Sequence, residues 1–419
     1  MQTTLTEQYR DSILGRDAEE ILRRCVHCGF CNATCPTFQL LGDELDGPRG
    51  RIYQIKQILE GTPPTASTQQ HLDRCLTCLA CETTCPSGVK YSRLLEIGRE
   101  LTDSSLQRSP AEKWKRILLR KVLLRPALFR LLLKTAHVFS FLLPQSQKQK
   151  IPPLGIANPG DSQAAGMTSE NKQEAKSLGT LIMLRGCAQQ VCAPEINQSA
   201  AALFSQLGFK LIESPLDNCC GALSHHNDAT AEALELARKN IDSWWPLLEQ
   251  GVQGIVVTAS GCTTMVRDYG HLLADDEHYA EKAARVADLC RDPSELLAPI
   301  SGRLQKKPGL ADRICYQAPC SQQHGLRIRG SVEKILSDAG FSLLKQDNGH
   351  LCCGSAGSYS ILQPALSKQL KENKLHDLGI ANPAMIATAN IGCLLQLQSA
   401  SAIPVKHWLQ LLEVAAHER

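Results

Sequence analysis

The chain has 419 residues, of which 43% are hydrophobic, 5% aromatic and 21% charged, and its formal net charge is +3. This length predicts roughly two or three domains, and a charge so near zero provides no overall field that would attract nucleic acid. The outlier is the cysteine count of 19. The polar N-terminus lacks the pattern of a secretory signal. We therefore expect a cytoplasmic protein whose cysteines serve metal binding or catalysis rather than disulfides.

Two cysteine runs dominate the N-terminal quarter of the sequence. Residues 25–36 read CVHCGFCNATCP and residues 75–86 read CLTCLACETTCP, both with the spacing Cys-x2-Cys-x2-Cys-x3-Cys-Pro. Where two such runs occur, the last cysteine of each ligates the cluster of the other run. We therefore predict a mostly α-helical, ferredoxin-like domain over residues 1–105 with two [4Fe–4S] clusters. The predicted ligands are Cys25, Cys28, Cys31 and Cys85 for cluster 1, and Cys75, Cys78, Cys81 and Cys35 for cluster 2.

Zinc is the rival metal, because paired Cys-x2-Cys elements also make tetrahedral sites. Such a site takes four ligands from two pairs. It does not require the third cysteine or the final Cys-Pro that each run contains. Two complete copies of the run favour iron–sulfur clusters.

The segments around the first run predict helices. DAEEILRRC reads as a helix with Asp17 as its N-cap. After the run, a turn at Asp46-Gly47-Pro48 leads into a helix that Gly61 ends. Arg49 and Arg51, at the start of that helix, either donate hydrogen bonds towards an anionic cluster or are solvated.

Residues 106–144 predict a basic amphipathic helical segment. From Lys113 to Lys150 there are ten Lys or Arg and no Asp or Glu, and Pro126 divides the segment into two helices. Its longest uncharged stretch has 13 residues, fewer than the ~18 to 20 that a membrane span needs. Such helices either lie on an anionic membrane surface or pack on a partner subunit or on the chain's own core. Both interpretations stay open.

Residues 145–178 are rich in Pro, Gly, Ser, Gln and Asn, which predicts a linker. After it, short apolar strands alternate with helices, a pattern typical of a parallel α/β architecture. A Cys…Cys-Cys-Gly…Gly-Cys pattern then occurs twice, with an offset of 133 residues for its first two elements and 131 for the last. We predict two repeated Cys-rich α/β lobes, at residues 179–305 and 306–419, related by a pseudo-two-fold axis.

Four cysteines in each lobe follow the ends of predicted strands, where open parallel sheets place their ligands. They are Cys187, Cys219, Cys220 and Cys262 in the first lobe, and Cys320, Cys352, Cys353 and Cys393 in the second. They are candidates for an additional redox site, a further iron–sulfur centre in the lobes, with buried reduced thiols as the alternative. Cys192 and Cys315 are candidate supporting ligands, and Cys290 is predicted to be structural.

With these motifs in hand, the chain resembles the iron–sulfur subunits of bacterial glycolate oxidase, also called glycolate dehydrogenase, over nearly its whole length. The segments that carry the resemblance include CVHCGFCNATCPTFQLLGDELDGPRGRIYQIKQ, HLDRCLTCLACETTCPSGVKY, NIDSWWP, HLCCGSAGSY and TANIGC. More distantly, it is similar to the C subunit of anaerobic glycerol-3-phosphate dehydrogenase, to lactate-utilisation proteins and to heterodisulfide reductase subunits. In heterodisulfide reductase subunits each lobe ends in Cys-x2-Cys. In this chain no cysteine stands three positions after Cys262 or Cys393.

The resemblance implies an electron-transfer subunit. FAD-binding subunits of the same complex would oxidise glycolate to glyoxylate, and this chain would pass the electrons to a quinone or another acceptor at the inner face of the cytoplasmic membrane. We expect the chain to bind neither FAD nor NAD, since its sequence has no glycine-rich dinucleotide fingerprint. The alternatives are the equivalent subunit of a lactate or glycerol-3-phosphate dehydrogenase, and a thiol–disulfide reductase acting at the Cys-Cys-Gly lobes.

Overall fold

The computed structural model of the chain describes residues 1–142, 144, 151–155, 178–214 and 219–415. The N-terminal part is helical, and the rest forms two α/β lobes with parallel sheets, which confirms the predicted fold at this level. Most of the predicted linker lies outside the described residues. The N-terminal helices are Glu7–Arg10, Ile13–Arg24, Phe30–Ala33, Pro36–Leu41, Pro48–Leu59, Ala66–Asp73, Ala80–Thr84, Tyr91–Ser105, Pro110–Leu123 and Pro126–Val138, with 3-10 turns at Glu44–Asp46 and Phe139–Leu142.

The helix before the first cysteine run begins earlier than predicted. Its N-cap is Ser12, whose hydroxyl accepts a hydrogen bond from the Gly15 N–H at 2.9 Å, and Asp17 lies inside the helix. The prediction of Asp17 as the cap was therefore wrong. Serine caps a helix as well as aspartate does, and the buried stripe of this helix already includes Gly15 and Ala18.

Two helices form the core of the N-terminal part and hold both cysteine runs. The helix Pro48–Leu59 starts at the predicted proline, and Gly61, with φ +98°, follows its end as predicted. It packs against the helix Tyr91–Ser105, where a Cβ on Gly98 would lie only 2.5 Å from the Ile55 side chain. The absence of a side chain at Gly98 thus lets the two helices approach closely.

Each lobe is built on a four-stranded sheet whose strands are parallel. The strands are β1 Gly179–Met183, β2 Phe209–Ile212, β3 Gly254–Val256, β4 Cys290–Arg291, β5 Leu304–Lys306, β6 Arg313–Gln317, β7 Ser342–Leu343, β8 Met385–Thr388, β9 Val405–His407 and β10 Leu412–Val414. The strand order is β2-β1-β3-β4 in the first lobe and β7-β6-β8-β9 in the second. The two orders are equivalent, as the duplicated cysteine pattern predicts. The central strands are buried on both faces, which parallel sheets covered by helices require.

Helices connect and cover these strands. Those of the first lobe are Gln189–Cys192, Glu195–Gln206, Ala222–His225, Thr230–Glu249, Ser260–Arg267, Tyr269–Leu272, Ala280–Leu289 and Pro293–Leu297, followed by a 3-10 turn at Ala298–Arg303. Those of the second are Ser331–Asp338, Tyr359–Leu362, Pro364–Gly379 and Ile391–Gln398, with a π turn at Ser321–Gly325 and a 3-10 turn at Trp408–Leu411. Strand β10 pairs antiparallel with β5, so the predicted boundary between residues 305 and 306 falls within a strand.

The lobes meet along equivalent segments. The Ser260 N–H donates to the Ala389 carbonyl at 3.2 Å, and the Gly261 N–H donates to Asn390 Oδ1 at 3.4 Å. These residues belong to TASGC and TANIGC, the matched segments of the repeat. Such mutual contact is what a pseudo-two-fold relationship between the lobes would produce.

The basic helical segment packs one face on the chain itself. Arg116 lies 3.2 Å from Asp73 and 3.1 Å from Asp228, and Arg120 lies 2.9 Å from Glu232. The opposite face leaves large apolar side chains exposed, among them Trp114 (70%), Leu118 (61%) and Phe141 (69%). The packing interpretation thus holds for the inner face. Over the described residues, we find no helix with both the length and the apolar character that crossing a membrane requires.

Candidate iron–sulfur sites

The eight N-terminal cysteines gather around two neighbouring cavities. We call the one with an empty volume of about 400 Å³ the first cavity; its thiols are Cys25, Cys28, Cys31 and Cys85, with Cys81 on its edge. The second cavity, of about 390 Å³, is lined by Cys35, Cys75, Cys78 and Cys81. The fourth cysteine of each run therefore faces the cavity of the other run. The structure brings together the two sets that the spacing predicts as ligands.

A matched backbone conformation shapes the two cysteine loops. The residues two and four positions after the first cysteine have positive φ in both runs: His27 (56°) and Gly29 (85°), then Thr77 (51°) and Leu79 (62°). Left-handed conformations cost free energy in residues other than glycine and cluster at functional sites. Here they wrap three cysteines around each cavity.

The distances between the thiols distinguish the rival metals. In a tetrahedral zinc site with Zn–S bonds of about 2.3 Å, the sulfurs lie about 3.8 Å from each other. In the part of the chain that the structure describes, no three cysteine sulfurs lie all within 4.8 Å of one another. The splayed thiols and the open space between them fit a larger inorganic cluster better than a single zinc ion.

Burial favours the protonated form of several of these thiols. It raises the pKa of Cys31 to about 11, and it raises the pKa values of Cys78 and Cys81 well above their ordinary range. A metal ligand must be the thiolate. Binding of a cluster at these cavities would therefore release protons, and its affinity would depend on pH.

One arginine lines each cavity. Arg49 lines the first cavity and is held by Glu44, with Nε and Oε1 2.6 Å apart. Arg51 lines the second, where its side chain is fully buried and donates to the His71 carbonyl at 2.7 Å. The solvated interpretation is thus wrong for Arg51. Its fixed positive charge faces the second set of thiols.

Sequence reasoning missed the residue that holds Arg51 in place. Asp46 was predicted only as part of a turn, but its side chain is 1% exposed and lies 3.4 Å from Arg51 and 2.8 Å from Arg74. A carboxylate directly before Gly-Pro resembles any turn residue, and no sequence signal indicates its burial. This ion pair fixes the arginine at the second cavity.

Four thiols in each lobe form a row, which we call the first and the second thiol row. In the second row, Cys320 Sγ lies 3.8 Å from Cys352 Sγ, and Cys353 Sγ lies 3.4 Å from Cys393 Sγ. The first row has the same neighbours: a hydrogen bond with Cys219 raises the pKa of Cys187. In the same row, Cys220 has hydrogen-bonded contacts with Cys219 and Cys262. The eight lobe cysteines thus converge in two sets of four, as the strand ends predict.

A glycine follows each Cys-Cys pair for a steric reason. Gly221 and Gly354 have φ values of +91° and +81°. A Cβ on Gly354 would lie 2.8 Å from the Ser367 carbonyl oxygen, closer than such atoms can pack. Only glycine fits both the conformation and the space.

The two rows differ in their relation to the N-terminal cavities. Cys78 of the second cavity packs in one apolar cluster with Cys320, Cys352 and Leu76. The first row instead packs within the core of its own lobe, and it approaches the second row through Cys262. The structure therefore places the second cavity, the second row and the first row in sequence.

The three other cysteines lie outside these sets. Cys192 is buried beside Phe129 and Leu133, and burial, with a smaller effect of Cys187, raises its pKa to about 12. The Cys315 thiol donates to the Leu344 carbonyl at 3.6 Å. Cys290 is fully buried in the core of the first lobe, which is where a structural cysteine is expected.

Comparisons with known proteins agree with this arrangement. The family model of the 4Fe-4S dicluster domain matches residues 21–89, and that of the Cysteine-rich domain matches residues 181–267 and 314–398. The thiols of both cavities lie within the first match. All eight row cysteines and their glycines lie within the second pair of matches, with Cys187 to Cys262 in the one and Cys320 to Cys393 in the other. The chain is therefore an iron–sulfur protein.

Whole-chain relatives give the same result. The chain is 44% identical to the "Glycolate oxidase iron-sulfur subunit" of Escherichia coli (strain K12), covering 99% of both chains. It is 26% identical to the "Probable glycolate oxidase iron-sulfur subunit" of Bacillus subtilis (strain 168), over 94% of this chain and 92% of that one. "Lactate utilization protein A" of the same Bacillus is 23% identical over 50% of this chain and 87% of its own length. The chain thus belongs to the family of glycolate oxidase iron–sulfur subunits.

Proposed function

We propose that this chain is the electron-transfer subunit of a flavin-dependent glycolate dehydrogenase, with two [4Fe–4S] clusters in its N-terminal part. The observation that carries the proposal is the crosswise gathering of eight cysteines around two cavities that share a wall. Cys81, Pro48 and Tyr91 line both cavities. Clusters at these positions would be close neighbours.

The residues of this chain would hold the clusters and control their surroundings. When bound, each cluster accepts and releases one electron at a time. Cys25, Cys28, Cys31 and Cys85 would hold cluster 1, and Cys75, Cys78, Cys81 and Cys35 would hold cluster 2. Arg51 places a positive charge at the second cavity, which compensates part of the negative charge of a thiolate-ligated cluster.

The proposed partners are FAD-binding subunits of the same complex. Oxidation of glycolate to glyoxylate removes two electrons and two protons from one alcohol group, as a C–H and an O–H bond break, whereas a cluster takes one electron at a time. A two-electron carrier such as a flavin must therefore accept both electrons from glycolate and pass them one at a time to the clusters. The names of both full-length relatives describe subunits, which supports an assembly of several chains.

Exposure suggests the direction in which electrons travel. Cys28 at the first cavity is exposed, and its neighbours Val26 and Phe30 are 67% and 60% exposed. This end offers a surface on which the flavin subunit can place its cofactor near cluster 1. The second cavity instead faces Cys320 and Cys352 in the interior. We propose that electrons enter at cluster 1 and leave through cluster 2 towards the second thiol row.

The thiol rows are the proposed additional redox site, as a further iron–sulfur centre in the lobes. An iron–sulfur centre requires several sulfur ligands close together, and the four thiols of the second row lie beside the second cavity. Thiol–disulfide chemistry is the second candidate function, favoured by the 3.4 Å between Cys353 Sγ and Cys393 Sγ. Reduction of a disulfide substrate by the purified chain without any flavoprotein would support the second candidate.

The outer face of the basic helices supports a peripheral location at the inner face of the cytoplasmic membrane, with a quinone as the electron acceptor. Trp114 and Leu118 are exposed there, together with Lys113, Lys121 and Arg125. Apolar side chains flanked by cations are typical of surfaces that bind anionic lipid. Sedimentation of the complex with anionic but not zwitterionic vesicles is expected, and loss of this binding in Trp114→Ser/Leu118→Ser would assign it to this face.

The experiment that tests the proposed function uses the complete complex. The chain is co-expressed with its flavin subunits and treated anaerobically with glycolate, lactate or glycerol-3-phosphate. We expect glycolate to reduce the clusters fastest, seen as bleaching of their visible absorbance. Faster reduction by lactate or glycerol-3-phosphate would assign the chain to a complex for that substrate instead.

A further inference from the structure

A buried phenol lies between the two cavities. Tyr91, the first residue of the helix Tyr91–Ser105, is 3% exposed and lines both the first and the second cavity. Its hydroxyl oxygen is buried and makes no hydrogen bond of ordinary geometry in the described part of the chain. A buried polar group without a partner costs free energy. A group bound in one of the cavities could supply the hydrogen-bond acceptor that this hydroxyl lacks.

The groups around the hydroxyl point to the second cavity. Cys75, Arg51 and Cys81 lie close enough to the hydroxyl to interact with it. Cys75 and Arg51 both line the second cavity and are absent from the wall of the first. The Cys75 thiol is the sulfur within hydrogen-bonding reach of the hydroxyl.

The phenol can act only as a donor to this set of thiols. A tyrosine hydroxyl has an ordinary pKa of about 10, so it keeps its proton at neutral pH. Thiolate and inorganic sulfide are acceptors without a proton of their own. Hydrogen bonds to an ionised acceptor are stronger than those between neutral groups.

We propose that Tyr91 is a positioning residue for cluster 2: its hydroxyl donates a hydrogen bond to the sulfur of Cys75 and so raises the reduction potential of that cluster. The inference rests on the proposed pair of clusters. An electron added to a cluster held by Cys75 would increase the negative charge on its sulfurs and so strengthen the hydrogen bond that Tyr91 donates. Stabilising the reduced state raises the potential, and hydrogen bonds to the sulfurs are one of the known means of tuning it.

This placement gives cluster 2 a feature that cluster 1 lacks. Both arginines are paired with a carboxylate, Arg49 with Glu44 and Arg51 with Asp46, but Cys28 at the first cavity is open to solvent. The second cavity has the fully buried Arg51 and the phenol. Both groups stabilise added electrons at cluster 2, which favours the passage of electrons from cluster 1 to cluster 2.

The test is Tyr91→Phe in the complete chain, with the reduction potentials of both clusters measured by anaerobic redox titration and electron paramagnetic resonance. We expect the reduction equilibrium constant of cluster 2 to fall about tenfold, which is about 59 mV for a one-electron couple, while cluster 1 keeps its potential. Cys78→Ser identifies which signal belongs to cluster 2. Tyr279→Phe is the matched control, because it removes a surface hydroxyl that donates to Asp242 at 2.8 Å, outside both cavities.

Iron and sulfide are counted in the same samples. Two intact clusters with unchanged potentials in Tyr91→Phe would overturn this inference and leave the proposed function standing. A shift confined to cluster 1 would also overturn it. Absence of two clusters from the wild-type chain would instead overturn the proposed function.

A second variant keeps the inference testable if Tyr91→Phe does not assemble. Fluorotyrosine incorporated at position 91 keeps the hydroxyl and makes it a stronger donor. The potential of cluster 2 is then expected to rise, opposite to the phenylalanine variant. A fall or no change would contradict the proposed hydrogen bond.

Discussion

Cys320 Sγ lies 3.8 Å from Cys352 Sγ, and both thiols pack in one apolar cluster with Cys78 of the second cavity. This contact distinguishes the two lobes, although their sheets have equivalent strand orders. The duplicated lobes therefore have different positions relative to the clusters. Only the second lobe has its thiols beside a cavity of the N-terminal part, among the residues that the structure describes.

The two lobes provide a matched pair of variants. Cys352→Ser replaces a thiol beside Cys78, whereas Cys219→Ser replaces the equivalent thiol of the first row. If electrons leave through the second row, we expect Cys352→Ser to lower acceptor-linked turnover with glycolate at least tenfold, and Cys219→Ser to lower it less. Turnover is measured on complexes with equal content of N-terminal clusters. Equal losses, or a larger loss in the first lobe, would contradict the proposed exit.

Replacing Arg51 should destabilise the N-terminal part. In Arg51→Gln, the buried Asp46 loses one of its two arginines, and breaking a buried ion pair costs about 3 to 5 kcal/mol. Arg23→Gln is the control, since its pair with Glu19 is exposed and such pairs contribute ~0 to 1 kcal/mol. The measurement is the free energy of unfolding in urea under anaerobic conditions. Similar losses in the two variants would refute the structural role of Arg51.

The glycine after the second Cys-Cys pair offers a steric test. Gly354→Ala should displace Cys352 and Cys353, because the new Cβ would meet the Ser367 carbonyl at 2.8 Å in addition to the strain of a positive φ. Gly357→Ala carries only the strain, about 1 to 3 kcal/mol, since nothing lies within 4 Å of its Cβ position. We expect a larger fall in melting temperature for Gly354→Ala. Identical melting temperatures would show that the close contact is not present.

A buried histidine should make the contact between the lobes sensitive to acid. Burial lowers the pKa of His407 from 6.5 to about 4, and its Nε2 donates to the Thr258 carbonyl of the first lobe at 3.1 Å. The unfolded chain binds this proton more readily than the folded chain. The contribution of His407 to stability is thus complete above pH 6.5 and is lost as the pH falls towards 4.

We therefore expect the free energy of unfolding to fall by about 1.4 kcal/mol per pH unit in this window through His407 alone. The measurement compares urea unfolding of the wild type and His407→Gln at several pH values. The variant should lack this part of the slope. Parallel pH profiles would mean that His407 is accessible to protons in the folded state.

The sequence predicts what depends on local spacing. The two runs predict which four thiols face each cavity, and the repeat offset predicts two lobes with equivalent sheets. Contacts between distant segments leave no such pattern. Tertiary packing produces three features that the sequence does not indicate. They are the burial of Asp46, the burial of the Tyr91 hydroxyl between the cavities, and the position of Cys78 beside the second row. The wrong prediction of Asp17 as the N-cap shows that even a local feature can depend on packing. Serine and aspartate are both good N-caps, and only packing selects Ser12 over Asp17.

The most direct test of the account is the cluster content of the chain prepared without oxygen. Iron, zinc and acid-labile sulfide are counted per chain, and the iron is examined by Mössbauer spectroscopy. The account predicts at least about eight irons and eight sulfides per chain, in at least two [4Fe–4S] clusters. Zinc without sulfide, or iron sufficient for only one cluster, would contradict it.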